Sequence, residues 1–394
     1  MLRQLGKKEL FGLALNDKIP FNIVYHFTLN AHITSDTLAA SLNKLLKKYQ
    51  ALNVLIKDKT FYATSNSVPI IFHEHFDDSI LQQVIHTELH TSLNLTTGPL
   101  FKVNYFYEKN HTIFLFTLNH IVVDGRGSLA VVVDLLCMLL NKPSPIFLSD
   151  DFYPLAPAIE SLLPNPENST STLNKNPDET TRHFSSLPMS ELDTGRLEKE
   201  LSPDIFAELT VLATAHNISI TALLLAKLIL STYNKIQQDP KQPNIISFNI
   251  SLMVDARHLL RVTHFVGSFS FPFFLHFEID ATRQLIELAQ EIAHAIKEFS
   301  LKKAQTMPIG QQAIPLLAVN SLGRLDKFLG SVSEHIIYFN AYNAIHAYFT
   351  TEYSMSMLTF NYQNKHRIIF QYPTPLVNTE IVEAIYQEIF HARK

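Results

Sequence analysis

The stretch LNHIVVDGRGS, Leu118–Ser128, ends an apolar run with a histidine and places two glycines shortly after it. The chain holds only 10 glycines in 394 residues, so this pairing indicates a turn or a close approach of the backbone. Just upstream, FKVNYFYE (Phe101–Glu108) and HTIFLFTLNH (His111–His120) predict a β-hairpin. The hairpin puts His120 at the C-terminal end of a strand, and a helix is expected to begin near Ser128.

A histidine at a strand end is a candidate general base. From this position His120 can reach a cleft, and neutral imidazole is the natural proton acceptor near pH 7. Asp124 is expected to hold the loop in shape, and Gly125 to permit a backbone angle or a close approach that a side chain would forbid. The pattern His-x-x-x-Asp-Gly is short, however. By itself it supports a catalytic His120 and an ordinary strand-end turn equally well.

Composition excludes several classes of protein. Hydrophobic residues make up 46% and charged residues 17% of the chain, which is typical of a globular protein. The formal net charge of −4 gives no basic footprint for nucleic acid. The single cysteine, Cys137, rules out a disulfide within the chain, and its apolar surroundings predict a core residue. His111, His258, His264, His335 and His346 are scattered without the spacing of metal ligands.

The predicted location is the cytoplasm. One cysteine fits a reducing compartment, and the N-terminal residues lack the apolar segment of a secretory signal. The most apolar runs, Leu129–Leu140 and Ile220–Leu230, have about half the length that spans a bilayer. Each is therefore predicted to be a buried core helix, and no membrane span is expected.

Helices and strands alternate irregularly along the chain, which predicts two α/β halves of similar size. Residues 1–163 form the expected N-terminal lobe with the His-x-x-x-Asp-Gly motif, and residues 203–394 the C-terminal lobe. Residues 164–202 are rich in Pro, Ser, Thr and Asn and are predicted to be a linker or crossover. A cleft or tunnel between the lobes would suit a ligand.

Further helices and strands are predicted from the local pattern. The helices are Asp36–Gln50, capped by Ser35, one that starts at Ser202–Asp204, Ile220–Tyr233 and Thr282–Lys302. The strands are Ile245–Val254, His335–Asn340, Ile345–Thr350, Ser354–Tyr362 and His366–Tyr372.

The motif resembles the HHxxxDG signature of the CoA-dependent acyltransferase superfamily. That superfamily includes chloramphenicol acetyltransferase, nonribosomal peptide condensation domains, the plant BAHD acyltransferases and the alcohol acetyltransferase or polyketide-associated (Pap) group. The resemblance extends in order over most of the chain. The matching segments are RQLGKKE (Arg3–Glu9), DGRGSLAVVVDLL from Asp124, LSPDIFAELTVLATAHNISITALLLAKLIL (Leu201–Leu230), SLMVDARHLL (Ser251–Leu260) with the FVGSFSF that follows it, and NSLGR (Asn320–Arg324).

The resemblance implies a fold and a chemistry. The fold would be two chloramphenicol acetyltransferase-like α/β lobes in a single, monomeric chain. His120 would be the general base that deprotonates an acceptor hydroxyl or amine, which then attacks an acyl thioester. Asp124 would be structural and paired with Arg257 of the second lobe. No metal or permanently bound cofactor would be needed, because the acyl-CoA or acyl-carrier thioester is a co-substrate.

The chain departs from the family pattern at three places. Asn119 replaces the first histidine of the motif; many BAHD members also lack that histidine, so its absence does not exclude catalysis. The chain has no tryptophan, so the plant DFGWG motif is absent. In NSLGR, Asn320 and Ser321 stand in the reverse of the usual order. A role for either near the thioester or the oxyanion therefore competes with a simple turn before Gly323.

Three functions remain open at this point. The first is an acyl-CoA-dependent O-acyltransferase that acts on a small-molecule alcohol. The second is a stand-alone condensation enzyme that takes its acyl group from an acyl carrier protein and forms an ester or an amide. The third is a catalytically degenerate member that binds a ligand or partner, for which Asn119 is the motivating residue.

Overall fold

The computed structural model describes residues 1–17, 19–145, 152–162, 187, 191–262, 266–298, 316–344 and 351–391. The chain forms two compact units. Unit 1 consists of Met1–Leu173, Asp255–Ser270 and Lys327–Ala344, and unit 2 consists of Asn174–Val254, Phe271–Asp326 and Ile345–Lys394. Each unit contains both helices and a β-sheet, so the predicted α/β class is confirmed.

Ten α-helices and fourteen strands lie in the described residues. The helices are α1 (Lys7–Asn16), α2 (Ser35–Lys48), α3 (Asp78–His90), α4 (Gly125–Leu139), α5 (Pro203–Ala215), α6 (Ile220–Ile236), α7 (Arg257–Leu260), α8 (Leu285–Lys297), α9 (Leu325–Leu329) and α10 (Thr379–His391). The strands are β1 (Arg3–Gln4), β2 (Asn22–Leu29), β3 (Val54–Lys57), β4 (Thr60–Ala63), β5 (Ile70–His73), β6 (Phe101–Glu108), β7 (His111–Asn119), β8 (Asp193–Leu201), β9 (Ile246–Asp255), β10 (Ser270–Ile279), β11 (Leu316–Arg324), β12 (Ile336–Asn343), β13 (Met355–Tyr362) and β14 (Lys365–Thr374).

Unit 1 is built on a five-stranded sheet with the order β12-β2-β7-β6-β5. The predicted hairpin is confirmed, because β6 and β7 pair antiparallel from Phe101 opposite Leu118 to Glu108 opposite His111. Along β7 every residue from Thr112 to Asn119 is buried, so the strand is covered on both faces. The motif therefore begins at the end of β7, the central strand of this sheet.

Unit 2 contains a six-stranded sheet with the order β10-β9-β11-β13-β14-β8. The predicted C-terminal hairpin is present as β13 and β14. The apolar helix α6 packs inside this unit, with Leu223, Leu225 and Leu228 fully enclosed. The two most apolar segments, which form α4 and α6, are therefore core helices, as their composition predicts.

One strand lies where the sequence pattern does not predict it, and a second, predicted strand belongs to a different unit from the one expected. β8 falls in the stretch interpreted as a linker, yet it pairs along its whole length with β14. Its sequence DTGRLEKEL has charged residues because it is an edge strand, and Glu198 forms an ion pair with Arg367 across the pair. β12 lies in the predicted C-terminal lobe, yet it pairs antiparallel with β2 of unit 1. Pairing between distant segments leaves no mark in local periodicity.

Helix starts follow capping chemistry. Ser202 caps α5 by accepting from the N–H of Ile205, with Pro203 in the first turn, as predicted. The cap of α2 is Thr34 instead of the predicted Ser35. α4 begins at Gly125, three residues before the predicted start, because the carboxylate of Asp124 accepts from the first turn.

Cys137 is buried within α4, as expected of a core residue. No single described helix is long and apolar enough to cross a membrane, and α5 with α6 meets that test only as a pair bent by 105°. The predicted strand at Ile345–Thr350, most of the predicted linker and the end of the Thr282–Lys302 helix lie outside the described residues.

The buried ring of His366 should make the protein acid-sensitive. It stacks on Phe206 at 4.0 Å, and neither ring nitrogen has a hydrogen-bond partner in the described chain. Burial lowers the pKa of His366 from 6.5 to about 4. The folded state therefore loses stability as the pH falls from 6.5 towards 4, since the unfolded chain binds the proton first.

We expect His366→Phe to reduce the fall in thermal midpoint over this range. The exposed His216, changed to Phe, is the control, and equal slopes in both variants would contradict the assignment.

Candidate active site

His120 lies one residue beyond β7, where the chain turns towards α4. Its backbone N–H donates to the carbonyl oxygen of Phe21 at 2.7 Å, which continues the pairing of β7 with the start of β2. Its ring stacks on the ring of Phe21, with centroids 4.7 Å apart and planes inclined by 10°. The backbone bond and the ring stack together hold both the position and the plane of the imidazole.

The imidazole of His120 is neutral at pH 7. Burial disfavours the charged ring and lowers its pKa to about 4. Backbone groups of His120 and Val123 and the carboxylate of Asp124 oppose this shift, while the ammonium of Lys8 adds to it. The Nδ1 atom is buried and has no hydrogen-bond partner among the described residues. With Nδ1 enclosed, Nε2 is the candidate nitrogen for proton transfer.

Asn119 fills the position of the first motif histidine and is fully buried. Its Nδ2 donates to Oδ1 of Asn16 at 3.0 Å and reaches Oδ1 of Asn22 at 3.5 Å. Its Oδ1 accepts from the N–H of Ile121 at 3.0 Å, which closes the turn after β7. A buried amide must satisfy both its donor and its acceptor, and this one does so between α1, β2 and the turn. Asn119 is therefore a connector of the structure at this position.

Asp124 and Arg257 form a buried, bidentate ion pair. The Oδ2–Nη1 and Oδ1–Nη2 distances are 2.9 and 3.0 Å, so the pair expected from the resemblance is present. Asp124 also accepts from the N–H groups of Gly127 and Phe269 at 2.8 and 2.7 Å. Arg257 donates in addition to the carbonyl oxygen of Gly267 at 2.9 Å. Each buried charge is thus compensated by the other and by backbone groups.

The carboxylate of Asp124 stays ionised at neutral pH. Burial alone would raise its pKa, but the charge and hydrogen bonds of Arg257, the ammonium of Lys8 and the N–H of Gly127 outweigh burial and hold the pKa below 3.8. A second, more exposed pair joins Arg126 to Asp255 at 2.8 Å. Asp255 also lies 3.1 Å from Arg257. Acidic and basic side chains therefore alternate beside the motif turn, in the order Asp124, Arg257, Asp255 and Arg126.

Gly127, and not Gly125, is the glycine that this ion pair requires. A Cβ atom at Gly127 would lie 3.0 Å from Nη2 of Arg257 and 3.2 Å from Oδ1 of Asp124. It would also lie 3.2 Å from the carbonyl oxygen of Gly267. At Gly125 an added Cβ would meet no described atom within 4 Å, and the φ angle is not left-handed. Within the described chain, neither a left-handed backbone angle nor a close contact therefore requires a glycine at position 125.

Lys8 belongs to the same cluster, and neither periodicity nor motif spacing predicts it. Its Nζ donates to the carbonyl oxygens of Ser270 and, at 3.2 Å, Ser268. Burial lowers the pKa of Lys8 to about 8, although the nearby carboxylates of Asp124 and Glu160 oppose this. The only sequence signal was its place in RQLGKKE, the first segment of the family resemblance.

Asn320 and Ser321 belong to unit 2, on β11. The register of β11 against β13 shifts between Ser321 and Gly323, and Gly323 has a left-handed φ of +64°. The Ser321 hydroxyl accepts from the N–H of Gly323 at 3.3 Å. This local geometry is an irregularity within the strand and not the expected turn, and a contact of Asn320 or Ser321 with a ligand stays a prediction. The other motif residues, from Asn119 to Gly125 and Arg257, come together within unit 1.

No model of a known protein family matches the chain, and no curated protein sequence is significantly similar to it. Several solved structures share its fold. Polyketide synthase associated protein 5 from Mycobacterium tuberculosis is 15% identical with a TM-score of 0.67, and the alignment covers 98% of this chain and 97% of that one. The condensation domain of the Monacolin K polyketide synthase is 11% identical with a TM-score of 0.68, covering 99% and 96%. The epimerization domain from the third module of tyrocidine synthetase B is 14% identical with a TM-score of 0.68, covering 98% and 94%.

These likenesses define the fold. The chain has the condensation-domain fold over nearly its whole length, and the fold predicted from the resemblance to the CoA-dependent acyltransferase superfamily is confirmed. At identities of 11 to 15%, the likeness carries the architecture and not the reaction. The reaction has to be argued from the residues around His120.

The two motif glycines should respond differently to alanine. Gly127→Ala forces a methyl group against the buried ion pair, and we expect it to lower the free energy of unfolding by about 1–3 kcal/mol. Gly125→Ala adds a methyl group in open space at a helix start, and we expect a change of at most about 1 kcal/mol, towards greater stability. Urea unfolding of both variants measures the difference. Equal losses in the two variants would contradict the packing described here.

Proposed function

We propose that the protein is a transferase that moves an acyl group from a thioester to a hydroxyl acceptor, with His120 as the general base and acyl-CoA as the donor. The observation that carries the proposal is the imidazole itself. It is neutral at pH 7, held by Phe21 on one side, and placed at a strand end beside the turn that Asp124 and Arg257 anchor. A fixed, neutral imidazole is equipped to accept a proton.

In the proposed reaction, Nε2 of His120 removes the proton of the acceptor hydroxyl as its oxygen attacks the thioester carbonyl carbon. The C–O bond forms, the tetrahedral intermediate collapses and the C–S bond breaks. The proton on His120 passes to the departing thiolate, which leaves an ester, a free thiol and a neutral ring. Because the ring has a low pKa, it accepts the proton only as the acceptor oxygen bonds to carbon. Fixed placement of the reactants would supply much of the rate.

A donor attached to a carrier protein is the second candidate. It is supported by the fold shared with the condensation domain of the Monacolin K polyketide synthase and with the first condensation domain of the calcium-dependent antibiotic synthetase. With such a donor the acceptor would be an alcohol or an amine, and His120 would have the same role. A ligand-binding member without turnover is the third, for which Asn119 was the motivating residue. The connector role of Asn119 weakens that reading, since an amide there leaves His120 in place.

His120→Ala should abolish acceptor-dependent thiol release. We expect a fall of about 10²–10⁴-fold, the usual contribution of a general base. The measurement is free-thiol release from acyl-CoAs of two to sixteen or so carbons, and from the same acyl groups on a carrier protein, with and without pooled alcohols and amines. His111→Ala, at the opposite end of β7, is the matched control and should keep full activity.

The outcomes of this assay separate the candidates. Release from CoA donors that is lost only in His120→Ala supports the first proposal. Release only from carrier-bound donors supports the second. Equal release by wild type and His120→Ala would show that His120 takes no part in the reaction. No release from any donor would support the third candidate, a protein that binds a ligand without turnover.

Activity should persist well below pH 6.5. A base works in its unprotonated form, so kcat/KM falls only as the pH approaches the pKa of the base in the free enzyme. For His120 that pKa is about 4. We therefore expect kcat/KM to stay level from pH 7.5 to about 5.5 within the range where the protein remains folded. An acid limb centred near pH 6.5 would show that His120 is solvated in the free enzyme.

A further inference from the structure

One face of α1 lies along the turn that carries His120. Lys8, Gly12 and Asn16 are four residues apart, so they share this face. The carbonyl oxygen of the Asn16 side chain accepts from the backbone N–H of Phe21 at 3.2 Å and from Nδ2 of Asn119 at 3.0 Å. The Asn16 end of the face is therefore directed towards the residues that flank the imidazole.

Gly12 shows how close this approach is. A Cβ atom there would lie 3.0 Å from the ring of Phe21 and 3.2 Å from the side chain of Ile121. Phe21 stacks on His120, and Ile121 follows it in the chain. The backbone of α1 therefore packs closely against Phe21, which stacks on the ring, and against Ile121, which follows His120 in the chain.

Lys8 ends the same face and reaches the segment 268–270. Its ammonium donates to the carbonyl oxygens of Ser268 and Ser270. The N–H of Phe269, which lies between these two residues, donates to Oδ2 of Asp124 at 2.7 Å. The short segment is therefore held by Lys8 on one side and by Asp124 on the other.

We propose that Lys8 is a positioning residue of the active site: its ammonium fixes the segment 268–270 against Asp124 beside the turn that carries His120. The inference deepens the proposed function and rests on it for its kinetic test. Lys8 does not touch the reacting atoms in this proposal. It acts through the carbonyl groups that it holds and through its charge.

The charges around Lys8 explain why its ammonium matters. The carboxylates of Asp124, Glu160 and Glu9 and the guanidinium of Arg257 all act on it. Glu160 also accepts from the backbone N–H of Lys8 at 2.6 Å, which ties the start of α1 to this carboxylate. Without the ammonium, Asp124 would act on His120 with one fewer opposing cation, and protonation of the ring would become easier.

The test compares three variants with wild type: Lys8→Met, Lys8→Arg and Lys7→Met. Lys7 is the matched control, because it carries the same charge on the same helix turn. The readouts are the pH profile of kcat/KM for thiol release and the thermal midpoint. We expect Lys8→Met to move the acid limb to higher pH and to lower kcat/KM at pH 7.5 by about tenfold or more. Lys8→Arg should return the acid limb to its wild-type position, since it restores the cation. Lys7→Met should match wild type in both respects.

A second measurement does not depend on turnover. Selective ¹⁵N labelling of histidine allows the ring of His120 to be titrated by NMR, with its signals assigned by their loss in His120→Gln. The proposal requires a higher pKa of His120 in Lys8→Met than in Lys7→Met. If wild type turns over no thioester, the proposed function fails, while this titration still decides the inference about Lys8. If Lys8→Met does not fold, the comparison of Lys8→Gln with Lys8→Arg replaces it.

Two results would overturn the inference. One is a Lys8→Met variant whose pH profile and His120 titration match those of Lys7→Met. The other is an acid limb that shifts as far in Lys8→Arg as in Lys8→Met, which would mean that the charge has no part.

Discussion

The buried pair of Asp124 and Arg257 is the interaction on which unit 1 depends. It joins residues 133 positions apart, so it holds the segment Asp255–Ser270 in a unit otherwise formed by distant parts of the chain. Removing one partner of such a pair leaves an uncompensated buried charge, at a cost of about 3–5 kcal/mol. That is a large share of the 5–15 kcal/mol or so that stabilises a typical domain. The constraint spreads outwards: Gly127 must lack a side chain, and Phe269 must present its N–H to the carboxylate.

The same pair defines what Asp124 can do for His120. The contacts of its carboxylate go to Arg257, Gly127 and Phe269, and none goes to the imidazole among the described residues. Asp124 is therefore not the orienting member of a catalytic triad. Its influence on the ring is electrostatic, and the ring is oriented instead by Phe21. Phe21 thus orients the imidazole, and Asp124 acts on it through its charge.

Much of this arrangement is predictable from sequence, for identifiable reasons. The hairpin of β6 and β7 and the core helices α4 and α6 follow from local periodicity, and α5 follows from its cap at Ser202. The pair of Asp124 with Arg257 was expected from the family resemblance alone. Features that depend on tertiary contact escape the sequence. The edge strand β8 has too many charges to read as a strand, and β12 pairs with β2 across more than half the chain.

The site shows the same division. The pattern His-x-x-x-Asp-Gly points to Gly125, but only the packed structure reveals that Gly127 is the residue without room for a Cβ. Asn119 looked like the loss of a catalytic group, and its three hydrogen bonds show a connector instead. Lys8 lies more than a hundred residues from the motif, so no spacing rule could associate it with His120. In each case the missing information is a neighbour that is distant in sequence.

The fold does not select the reaction, since the structures that share it include an epimerization domain as well as condensation domains. The groups around His120 discriminate better. Epimerisation removes a proton from one face of a carbon and returns one to the other, which calls for two acid–base groups on opposite sides. At the motif of this chain, Asn119 is occupied with protein groups and the ammonium of Lys8 with two carbonyl oxygens, so the imidazole of His120 is the group proposed to transfer the proton. Acyl transfer from a thioester needs only one such group, because the proton taken from the acceptor can be given to the departing thiolate. A single imidazole therefore meets the needs of the proposed acyl transfer, whereas epimerisation would require a second acid–base group.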